Sequence, residues 1–479
     1  MKSGIRKLLY IIPLCLWILG CNPAKEKVVR DLPEIMADGK LVALTGYSAT
    51  SYFLYKGQPM GYEYELLSML AKDLNLKLEI KIENDLNMIF EMLETGEGDI
   101  IARGLTVTAG RKKRVAFTEP LFTTQQVLVQ RKPENWQFLL MHQIEEQLIR
   151  SPIELIGETV VVKEYSSHLQ RLKNLSQEVG GPIHIRTVKG DTTMEQLIAM
   201  VAEGKIDYTV ADEHIALINQ AYHRNLDVET SISFPQNIAW AVRKDSPLLL
   251  DSLNHWLREM KKVSTYYVIY NKYFKNRTAH LRRMNSEFLS LNNRQISPWD
   301  TLLKKNAPEI GWDWRLLASL VYQESQFNPA SHSWAGARGL MQLMPSTARQ
   351  FGARNIKDPQ ENLQAGVRYL KWLDNYWLKN GVMDSEERLK FVLASYNVGF
   401  NHIQDARRLA EKYQKDPNIW DDNVAEYVLK LSEPEYFRDP VVQYGYCRGI
   451  EPVKYVADIL ERYQHYTTLF AGEANETGG

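Results

Sequence analysis

From residue 40 to about residue 131, short apolar runs alternate with segments whose apolar residues recur at helical spacing. Residues 41–44 form a continuous apolar run, which is typical of a buried strand, and residues 76–80 alternate between apolar and polar. Residues 64–74 and 87–93 have the spacing of amphipathic helices, and another short strand is predicted at 99–102. Strands that alternate with helices predict an α/β unit with a largely parallel sheet.

A second α/β unit follows, with strands predicted near residues 158–162, 183–188 and 206–210. Residues 235–244 have the pattern of a further strand that returns toward the first unit. Two lobes that are joined by crossing strands enclose a ligand cleft and can close by a hinge. The pattern therefore predicts a two-lobed domain over residues 40–265.

The pattern changes after Pro298, beyond which the periodic segments have the spacing of helices. Apolar stripes of this kind lie at Leu316, Leu317, Leu320 and Val321, at Leu389, Val392, Leu393 and Tyr396, and at Val456, Ile459 and Leu460. We therefore expect an all-α domain over residues 296–460, a helical or irregular linker over 266–295 and a polar C-terminal tail over 461–479. The predicted fold class is multi-domain: a two-lobed α/β domain followed by an all-α domain.

Residues 1–20 have the pattern of an export signal, since three basic residues precede an apolar stretch that is too short to span a bilayer. The stretch ends in Ile-Leu-Gly-Cys, which resembles the lipobox of bacterial lipoproteins and implies a lipid on Cys21. Asn22 in the next position implies sorting to the outer membrane, on its periplasmic face, with residues 21–39 as a tether. An ordinary secretory signal with an incidental cysteine is the alternative.

Composition and charge exclude several classes of function. The chain has 58 basic and 58 acidic residues, whereas a nucleic-acid-binding protein needs a basic excess to displace counterions. If Cys15 leaves with the signal and Cys21 carries lipid, Cys447 has no partner for a disulfide. The ten histidines are scattered and neither CxxC nor HExxH occurs, so we expect no metal and no other cofactor.

Glu324 lies four residues after Leu320 and three after Val321, on the apolar stripe of its predicted helix. A carboxylate that faces a core is costly unless it is paired or protonated, because burial disfavours its charged form. One interpretation is a structural glutamate that forms an ion pair within the core. The other is a catalytic acid that its surroundings keep protonated, and the segments that follow in the chain favour this one.

Residues 296–460 resemble the family 1 lytic transglycosylases, whose fold is related to goose-type lysozyme. Four segments carry the resemblance: Glu-Ser at 324–325 with Asn-Pro at 328–329, Gly-Ala-Arg-Gly-Leu-Met-Gln at 336–342, Tyr-Asn-Val-Gly at 396–399 and Tyr-Val at 455–456. The resemblance implies that Glu324 is the acid and base. It also implies a substrate site lined by Ser333, Gln342, Met344, Tyr396, Asn397 and Tyr455.

The same resemblance implies cleavage of the MurNAc-β-1,4-GlcNAc bond in peptidoglycan glycan strands without water. Protonated Glu324 would donate to the glycosidic oxygen, while the N-acetyl group of MurNAc, oriented by Ser333, stabilises the cation at C1. Glu324 would then deprotonate the C6 hydroxyl of the same sugar, which closes a 1,6-anhydro ring. Holding that hydroxyl over C1 makes the second step intramolecular.

The local sequence agrees with this placement, with two departures from the family. Gly336 and Gly339 permit a tight backbone that returns Gln342 toward the helix of Glu324. Ser395 stands where the family often has alanine before its Tyr-Asn pair. The segment 451–456 reads Glu-Pro-Val-Lys-Tyr-Val, so the family's Thr-Arg pair is missing.

Residues 40–265 resemble the family 3 extracellular solute-binding proteins, the periplasmic amino-acid receptors. The matching segments are Gly-Tyr-Glu-Tyr-Glu-Leu at 61–66, Gly-Leu-Thr-Val-Thr at 104–108, Phe-Thr-Glu-Pro at 117–120 and Gly-Lys-Ile-Asp at 204–207. They imply a ligand site with Thr106, with Arg111 on the α-carboxylate and with Asp212 on the α-amino group. Alternatively, Arg111 is one member of a solvated basic run at 111–114.

The order of the two resemblances implies an exported, membrane-anchored enzyme whose first domain senses a small peptide or amino acid from the cell wall and adjusts the cutting of glycan strands. Such allostery needs a two-state lobe closure that is felt across the domain boundary. Two other functions stay open. One is a lysozyme-type hydrolase, in which Asp300 or Asp313 would activate water. The other is a nutrient receptor whose helical domain only binds peptidoglycan, which Glu324, Gln342 and Tyr396 disfavour.

Overall fold

The computed structural model describes residues 30–189 and 192–470, apart from the side chains of residues 292 and 293. The export signal, Cys21, most of the expected tether and the last nine residues of the expected tail lie outside the described residues. Within the described ranges, no helix has the length and apolar character needed to cross a membrane.

The first lobe combines short strands with helices. In chain order its elements are α1 (Leu32–Asp38), β1 (Lys40–Thr45), β2 (Phe53–Tyr55), β3 (Gln58–Met60), α2 (Tyr62–Asp73), β4 (Lys77–Ile82), α3 (Leu86–Glu94), β5 (Ile100–Thr106), α4 (Ala109–Lys112), β6 (Ala116–Phe117) and β7 (Phe122–Thr124). β1 pairs in parallel with both β4 and β5 and is buried beyond its first residue. The continuous apolar run at 41–44 predicted a buried strand, in agreement with this position inside the sheet.

The second lobe repeats the arrangement. Its elements are β8 (Gln126–Arg131), α5 (Met141–Glu145), β9 (Thr159–Lys163), α6 (Ser167–Glu178), β10 (His184–Val188), α7 (Met194–Ala202), β11 (Tyr208–Asp212), α8 (Glu213–Gln220) and β12 (Leu226–Asp227), with 3-10 turns at Trp136–Phe138 and Pro152–Leu155. Its sheet has the order β10-β9-β11-β8-β12, in which β9 is parallel to β10 and β11.

The chain crosses between the lobes twice, after β7 and again before β13 (Gln236–Val242). β13 pairs antiparallel with β5, which confirms the predicted returning strand and gives the first lobe the sheet order β4-β1-β5-β13-β6, with β7 also paired to β13. The two-lobed α/β prediction is therefore confirmed, and a cleft opens between the lobes.

The segment 266–295, expected as a helical or irregular linker, is helical and packs on the first lobe. The elements here are α9 (Pro247–Met260), α10 (Ser264–Phe274), α11 (Arg277–Met284) and α12 (Ser290–Asn293). Tyr266, Ile269 and Tyr273 of α10 are buried in the core of the first lobe. The Tyr273 hydroxyl also donates to Glu65 at 2.5 Å. A tyrosine-rich segment shows no clear apolar stripe in sequence, because tyrosine carries a polar hydroxyl. Its rings can nevertheless be buried while the hydroxyls find polar partners.

The C-terminal domain is helical, as expected. Its elements are α13 (Asp300–Asn306), a 3-10 turn at Ala307–Ile310, α14 (Trp314–Ser325), α15 (Pro345–Gln350), α16 (Pro359–Lys379), α17 (Ser385–Val398), α18 (Phe400–Lys412), an irregular turn at Trp420–Val424, α19 (Ala425–Lys430), α20 (Pro434–Phe437) and α21 (Ile450–Leu469). Both ends of the expected layout differ. The last helix runs past residue 460 and buries Tyr466, and α1 starts within the expected tether and buries Ile35.

A hairpin of the first lobe reaches into the helical domain. The side chain of Leu54 on β2 lies in the core of the helical domain. The Tyr466 hydroxyl donates to the carbonyl of Gly57, at the hairpin turn, at 2.8 Å. At the base of the hairpin, the two ring nitrogens of His465 lie 2.8 and 3.3 Å from the hydroxyls of Tyr52 and Tyr64. The sequence did not predict this hairpin because each of its strands has only three residues.

We expect Gly57→Ala to destabilise the junction more than Gly39→Ala. Both glycines have positive φ, 74° and 67°, so both variants bear a similar backbone strain. A Cβ at Gly57 would also lie 2.6 to 2.8 Å from atoms of Tyr322, Tyr466 and Phe327, whereas nothing lies within 4 Å of one at Gly39. Overpacking of this kind costs about 1–3 kcal/mol. Denaturant titration of both variants measures the difference, and equal losses would contradict the tight junction.

Candidate functional site

Glu324 lies in the last turn of α14, where the chain changes direction sharply. The helix begins at the N-cap Asp313 and ends before Gln326 and Phe327, whose φ angles are 51° and 63°. Two consecutive non-glycine residues in the left-handed region are strained, and packing stabilises them. Phe327 is buried, and the indole N–H of Trp299 donates to its carbonyl at 2.9 Å. The abrupt end opens the last turn of α14 to a groove.

The carboxyl group of Glu324 is held in a largely desolvated position. Its Oε1 accepts a hydrogen bond from the Tyr455 hydroxyl on α21. Burial raises the pKa of Glu324 to about 7, although the hydrogen bond from Tyr455 acts in the opposite direction. A carboxyl group with a pKa near neutrality is present in both protonation states, which suits a group that first donates and then accepts a proton.

The groove beside Glu324 has a volume of about 930 Å³ and is bordered by both domains. Its lining from the helical domain is Pro298, Trp299, Gln323, Glu324, Ser325, Gln326, Phe327, Asn328, Pro329 and Ser331. The remaining lining residues are Lys56, at the turn of the β2–β3 hairpin, and Glu287 and Phe288, just before α12. The sequence did not predict these three, because only the packing of the two domains brings them to the groove.

The loop that follows α14 is stabilised by its own side chains. The Ser333 hydroxyl oxygen accepts the N–H of Ala337 at 3.0 Å, and its own proton can still be donated. The amide nitrogen of Gln342 donates to the carbonyls of Ser331 and Gly339, at 3.0 and 2.9 Å. Gln342 therefore returns to the start of its own loop and fixes the loop shape.

Gly339 allows this loop to pack closely on α16. The φ angles of Gly336 and Gly339 are 97° and 82°, in agreement with the predicted tight backbone. A Cβ at Gly339 would lie 2.3 Å from the side-chain nitrogen of Asn362. That side chain donates to the carbonyl of Arg338 and accepts the N–H of Met341. The amide of Asn362 thus replaces backbone partners that an irregular loop lacks.

The remaining predicted site residues are divided between the centre and the surface. Tyr396, on α17, donates through its hydroxyl to the carbonyl of Met341 at 2.7 Å. Its ring lies close enough to Glu324 and Tyr455 for electrostatic interaction with both. Met344 and Asn397 are exposed, and no hydrogen bond in the described part of the chain joins either to Glu324. The structure therefore brings Glu324, Tyr396 and Tyr455 together.

Asp300 and Asp313, either of which could activate water beside Glu324 in a hydrolase, both have structural partners. Asp300 accepts the backbone N–H groups of Ile296 and Ser297, each at 2.8 Å. Asp313 caps α14, forms an ion pair with Arg315 at 2.5 Å and accepts the hydroxyl of Tyr463 at 3.1 Å. Both groups hold helix starts in place.

The three residues predicted to bind a ligand line one cavity between the lobes. Thr106, Arg111 and Asp212 border a space of about 150 Å³. Arg111 donates to the carbonyl of Thr106 at 2.9 Å, and the hydroxyl of Ser167 on the other lobe donates to the Thr106 hydroxyl at 3.2 Å. The cavity therefore touches both lobes.

The sequence missed other polar residues of this cavity. His168, on α6, has its Nε2 3.5 Å from a carboxylate oxygen of Asp212. His214 and Arg103 also line the cavity. Burial lowers the pKa of His214 to about 4, so its ring is neutral at pH 7. Histidines in a scattered pattern carry no sequence signal, since the fold alone brings them together.

The chain matches two family models in this order. Residues 40–276 match the bacterial extracellular solute-binding proteins, family 3, and residues 301–419 match the transglycosylase SLT domain. Among solved structures, an ancestral amino acid-binding protein aligns over 51% of this chain and 98% of its own, with 28% identity and a TM-score of 0.41.

Curated relatives match over nearly the whole length. A membrane-bound lytic murein transglycosylase F from Desulfosudis oleivorans is 35% identical over 438 residues, which cover 91% of this chain and 92% of the relative. Proteins of the same name from Shewanella halifaxensis and Saccharophagus degradans are 33% and 30% identical, over 93% and 94% of this chain and 89% and 86% of their own.

The fold and these matches define an enzyme that carries a solute-binding domain in front of a transglycosylase domain. The chain belongs to the membrane-bound lytic murein transglycosylase F family. It is a lytic murein transglycosylase that acts on peptidoglycan.

The raised pKa of Glu324 predicts a pH-dependent cost in stability. Its pKa is about 7 in the folded chain, against an ordinary value of 4.5. The unfolded chain therefore releases this proton at lower pH than the folded chain, so stability falls as pH rises from about 4.5 to about 7 and stays lower above. A shift of this size corresponds to roughly 3 kcal/mol.

We therefore expect Glu324→Gln to match wild type in stability at pH 4 and to exceed it by up to roughly 3 kcal/mol at pH 8. Denaturant titration at both values measures this, and exposed Glu309→Gln is the matched control. A difference that is the same at both pH values would show that Glu324 titrates normally.

Proposed function

We propose that Glu324 is the single acid and base of a non-hydrolytic cleavage that leaves 1,6-anhydroMurNAc ends. The observation that carries this is its carboxyl group, desolvated at the wall of the groove, with a pKa of about 7 and with Tyr455 as a hydrogen-bond donor. The structural partners of Asp300 and Asp313 favour a mechanism that needs one carboxyl group over one that needs two.

The proton returns to Glu324 within each turnover. The protonated carboxyl donates to the glycosidic oxygen as the bond from C1 of MurNAc to that oxygen breaks. The carboxylate then takes the proton of the C6 hydroxyl while O6 forms a bond to C1, and water does not enter. The Tyr455 hydroxyl stabilises the carboxylate between the two steps, since a donor to the charged form favours it.

The other predicted site residues act in positioning and contact. Ser333, whose oxygen already accepts a backbone N–H, presents its proton toward an acceptor such as the N-acetyl group of the sugar. Gln342 and Tyr396 hold the loop that carries Ser333, and so fix the position of Ser333 relative to Glu324. Exposed Met344 and Asn397 contact the glycan strand at the edge of the site.

We expect Glu324→Gln to fold normally and to lose at least about 100-fold in the release of 1,6-anhydromuropeptides from purified sacculi, because general acid catalysis contributes about 10²- to 10⁴-fold. Mass spectrometry of the products measures this, since anhydro and reducing ends differ by one water. Glu309→Gln, on the exposed surface of the same domain, is expected to cut like wild type. If the Glu324 variant keeps more than about a tenth of the activity, another group is the acid.

The cleft between the lobes regulates this activity by binding a small peptide or amino acid from the cell wall. One chain segment supports such coupling. Tyr47, Ser48, Thr50 and Ser51 line the cleft, and the β2–β3 hairpin follows directly and places Lys56 in the lining of the catalytic groove. A ligand that favours one lobe arrangement would move this segment. It would thereby shift the fraction of molecules whose groove is competent for cutting.

We expect Arg111→Ala to abolish measurable binding of such a ligand while basal cutting of sacculi remains. Loss of one partner of a desolvated charge pair costs about 2–5 kcal/mol, or roughly 30- to several thousand-fold in affinity. Calorimetry with a cell-wall stem peptide measures affinity, and product release with and without that peptide measures control. Lys112→Ala, exposed on the same short helix, is the matched control. Unchanged affinity in the Arg111 variant would show that Arg111 is only one member of a solvated basic run.

The relatives are named membrane-bound, and we infer that a lipid on Cys21 provides the anchor, at the periplasmic face of the outer membrane. In a Gram-negative host we expect wild type to fractionate with the outer membrane and Cys21→Ser to lose its lipid. Cys15→Ser, within the apolar stretch of the signal, is expected to be lipidated normally. Recovery of wild type as a soluble periplasmic protein would contradict the anchor.

A further inference from the structure

The cleft between the lobes carries a second guanidinium group beside Arg111. Arg103 lies on β5, three residues before Thr106, and lines the same cavity. The two groups are near enough to interact, because burial and then the charge of Arg103 lower the pKa of Arg111 to about 10. Both remain charged at neutral pH, so one wall of the cavity holds two positive charges.

The guanidinium of Arg103 is fixed in position by the backbone of its own lobe. Its Nη1 donates to the carbonyl of Glu83 at 2.8 Å. Its planar group lies against Gly46, where a Cβ would be 3.2 Å from Cζ and Nη2 and 3.3 Å from Nε. The glycine therefore leaves the space that the guanidinium occupies, and the group is in place before a ligand arrives.

The charge of Arg103 has no close carboxylate partner within the described ranges. The carboxylates of Glu83, Asp85 and Glu195 act on it only through longer-range electrostatics, and burial outweighs them, lowering its pKa to about 10. A carbonyl oxygen satisfies one of its five N–H donors but does not neutralise it. Arg103 is half-buried, and a charge that is partly withdrawn from water is costly unless it is paired, so this site is suited to an anionic group from the ligand.

Arg111 alone meets the need of an α-carboxylate, and Asp212 that of an α-ammonium group. Arg103 thus remains for another anionic group. We propose that Arg103 binds a second carboxylate of the ligand, so that the cleft selects diacidic amino acids or peptides over neutral and cationic ones. A guanidinium binds a carboxylate through two parallel N–H donors, which gives the selection its geometry. This inference rests on the proposed ligand binding at Arg111, and is independent of the chemistry of Glu324.

The test compares each diacid with a partner that lacks its second carboxylate, by calorimetry on the detergent-solubilised full chain. The probes are L- and D-glutamate against L- and D-glutamine, and diaminopimelate against lysine. We expect at least one acid to bind at least about 30-fold more tightly than its partner, since loss of one member of a desolvated charge pair lowers affinity by at least about that factor. Arg103→Met should reduce this ratio to near one by weakening the acid and not the partner.

Two further variants separate the possible failures. Arg114→Met, exposed and paired with Glu94 outside the cavity, should keep the wild-type ratio. Arg111→Ala should lose acid and amide alike, and if it does not, the proposed ligand binding itself is wrong. Wild-type affinity of Arg103→Met for the partner that lacks the second carboxylate shows that the cleft of the variant is folded.

Three results would overturn the inference while Arg111 keeps its role. The first is that no acid in the panel binds more tightly than its partner. The second is that Arg103→Met weakens the binding of acid and partner equally, in which case Arg103 contacts a group that all ligands share. The third is that inorganic phosphate binds with the same dependence on Arg103 and blocks no acid, which would identify a simple anion site.

Discussion

The withdrawal of one carboxyl group from water is the constraint on which the catalytic half of this protein depends. Glu324 is desolvated because α14 packs against α21, and that contact is fixed by hydrogen bonds between the helices. The Ser319 hydroxyl donates to the carbonyl of Ile459 at 2.7 Å, and Arg462 donates to the Ser319 carbonyl at 3.1 Å and to the Gln323 side chain at 2.9 Å. These bonds set the depth of Glu324, and so its pKa.

The Tyr455 hydroxyl limits how far desolvation raises that pKa. Without a donor, a buried carboxyl group would stay protonated far above neutral pH and could not act as a base afterwards. With Tyr455 as donor, burial still prevails but the pKa remains near 7. One hydrogen bond between two helices thus keeps the same group usable for both proton transfers of the proposed mechanism.

The two domains meet around a short piece of the first lobe, not around a flexible connection. The hairpin turn at Lys56 and Gly57 borders the catalytic groove and packs on Tyr466, while the residues just before the hairpin line the ligand cleft. The helices expected as a linker bury their aromatic rings in the first lobe, so they fix its position relative to the groove. One chain segment therefore connects the cleft between the lobes with the groove, as the proposed regulation requires.

Elements with strong periodicity could be predicted from the sequence, and contacts between distant segments could not. The continuous run at 41–44 predicted a buried strand, and the apolar stripe that includes Leu320 predicted the helix that carries Glu324. The hairpin was missed because three-residue strands have no measurable period. The tyrosines of α10 conceal an apolar face. Arg103 resembles any surface arginine in sequence, since only the fold shows that Gly46 leaves it space and that no carboxylate of residues 30–189 or 192–470 pairs closely with it.

The pH dependence of kcat/KM for a defined glycan, measured for wild type and Tyr455→Phe, tests the central claim most directly, because it reports the pKa of the acid in the free enzyme. Wild type should lose activity as pH rises through about 7. In the Tyr455 variant this loss should move to higher pH, since a hydrogen bond that lowers the pKa of Glu324 has been removed. A wild-type profile without a loss near pH 7, or a variant profile at the same or lower pH, would contradict the account.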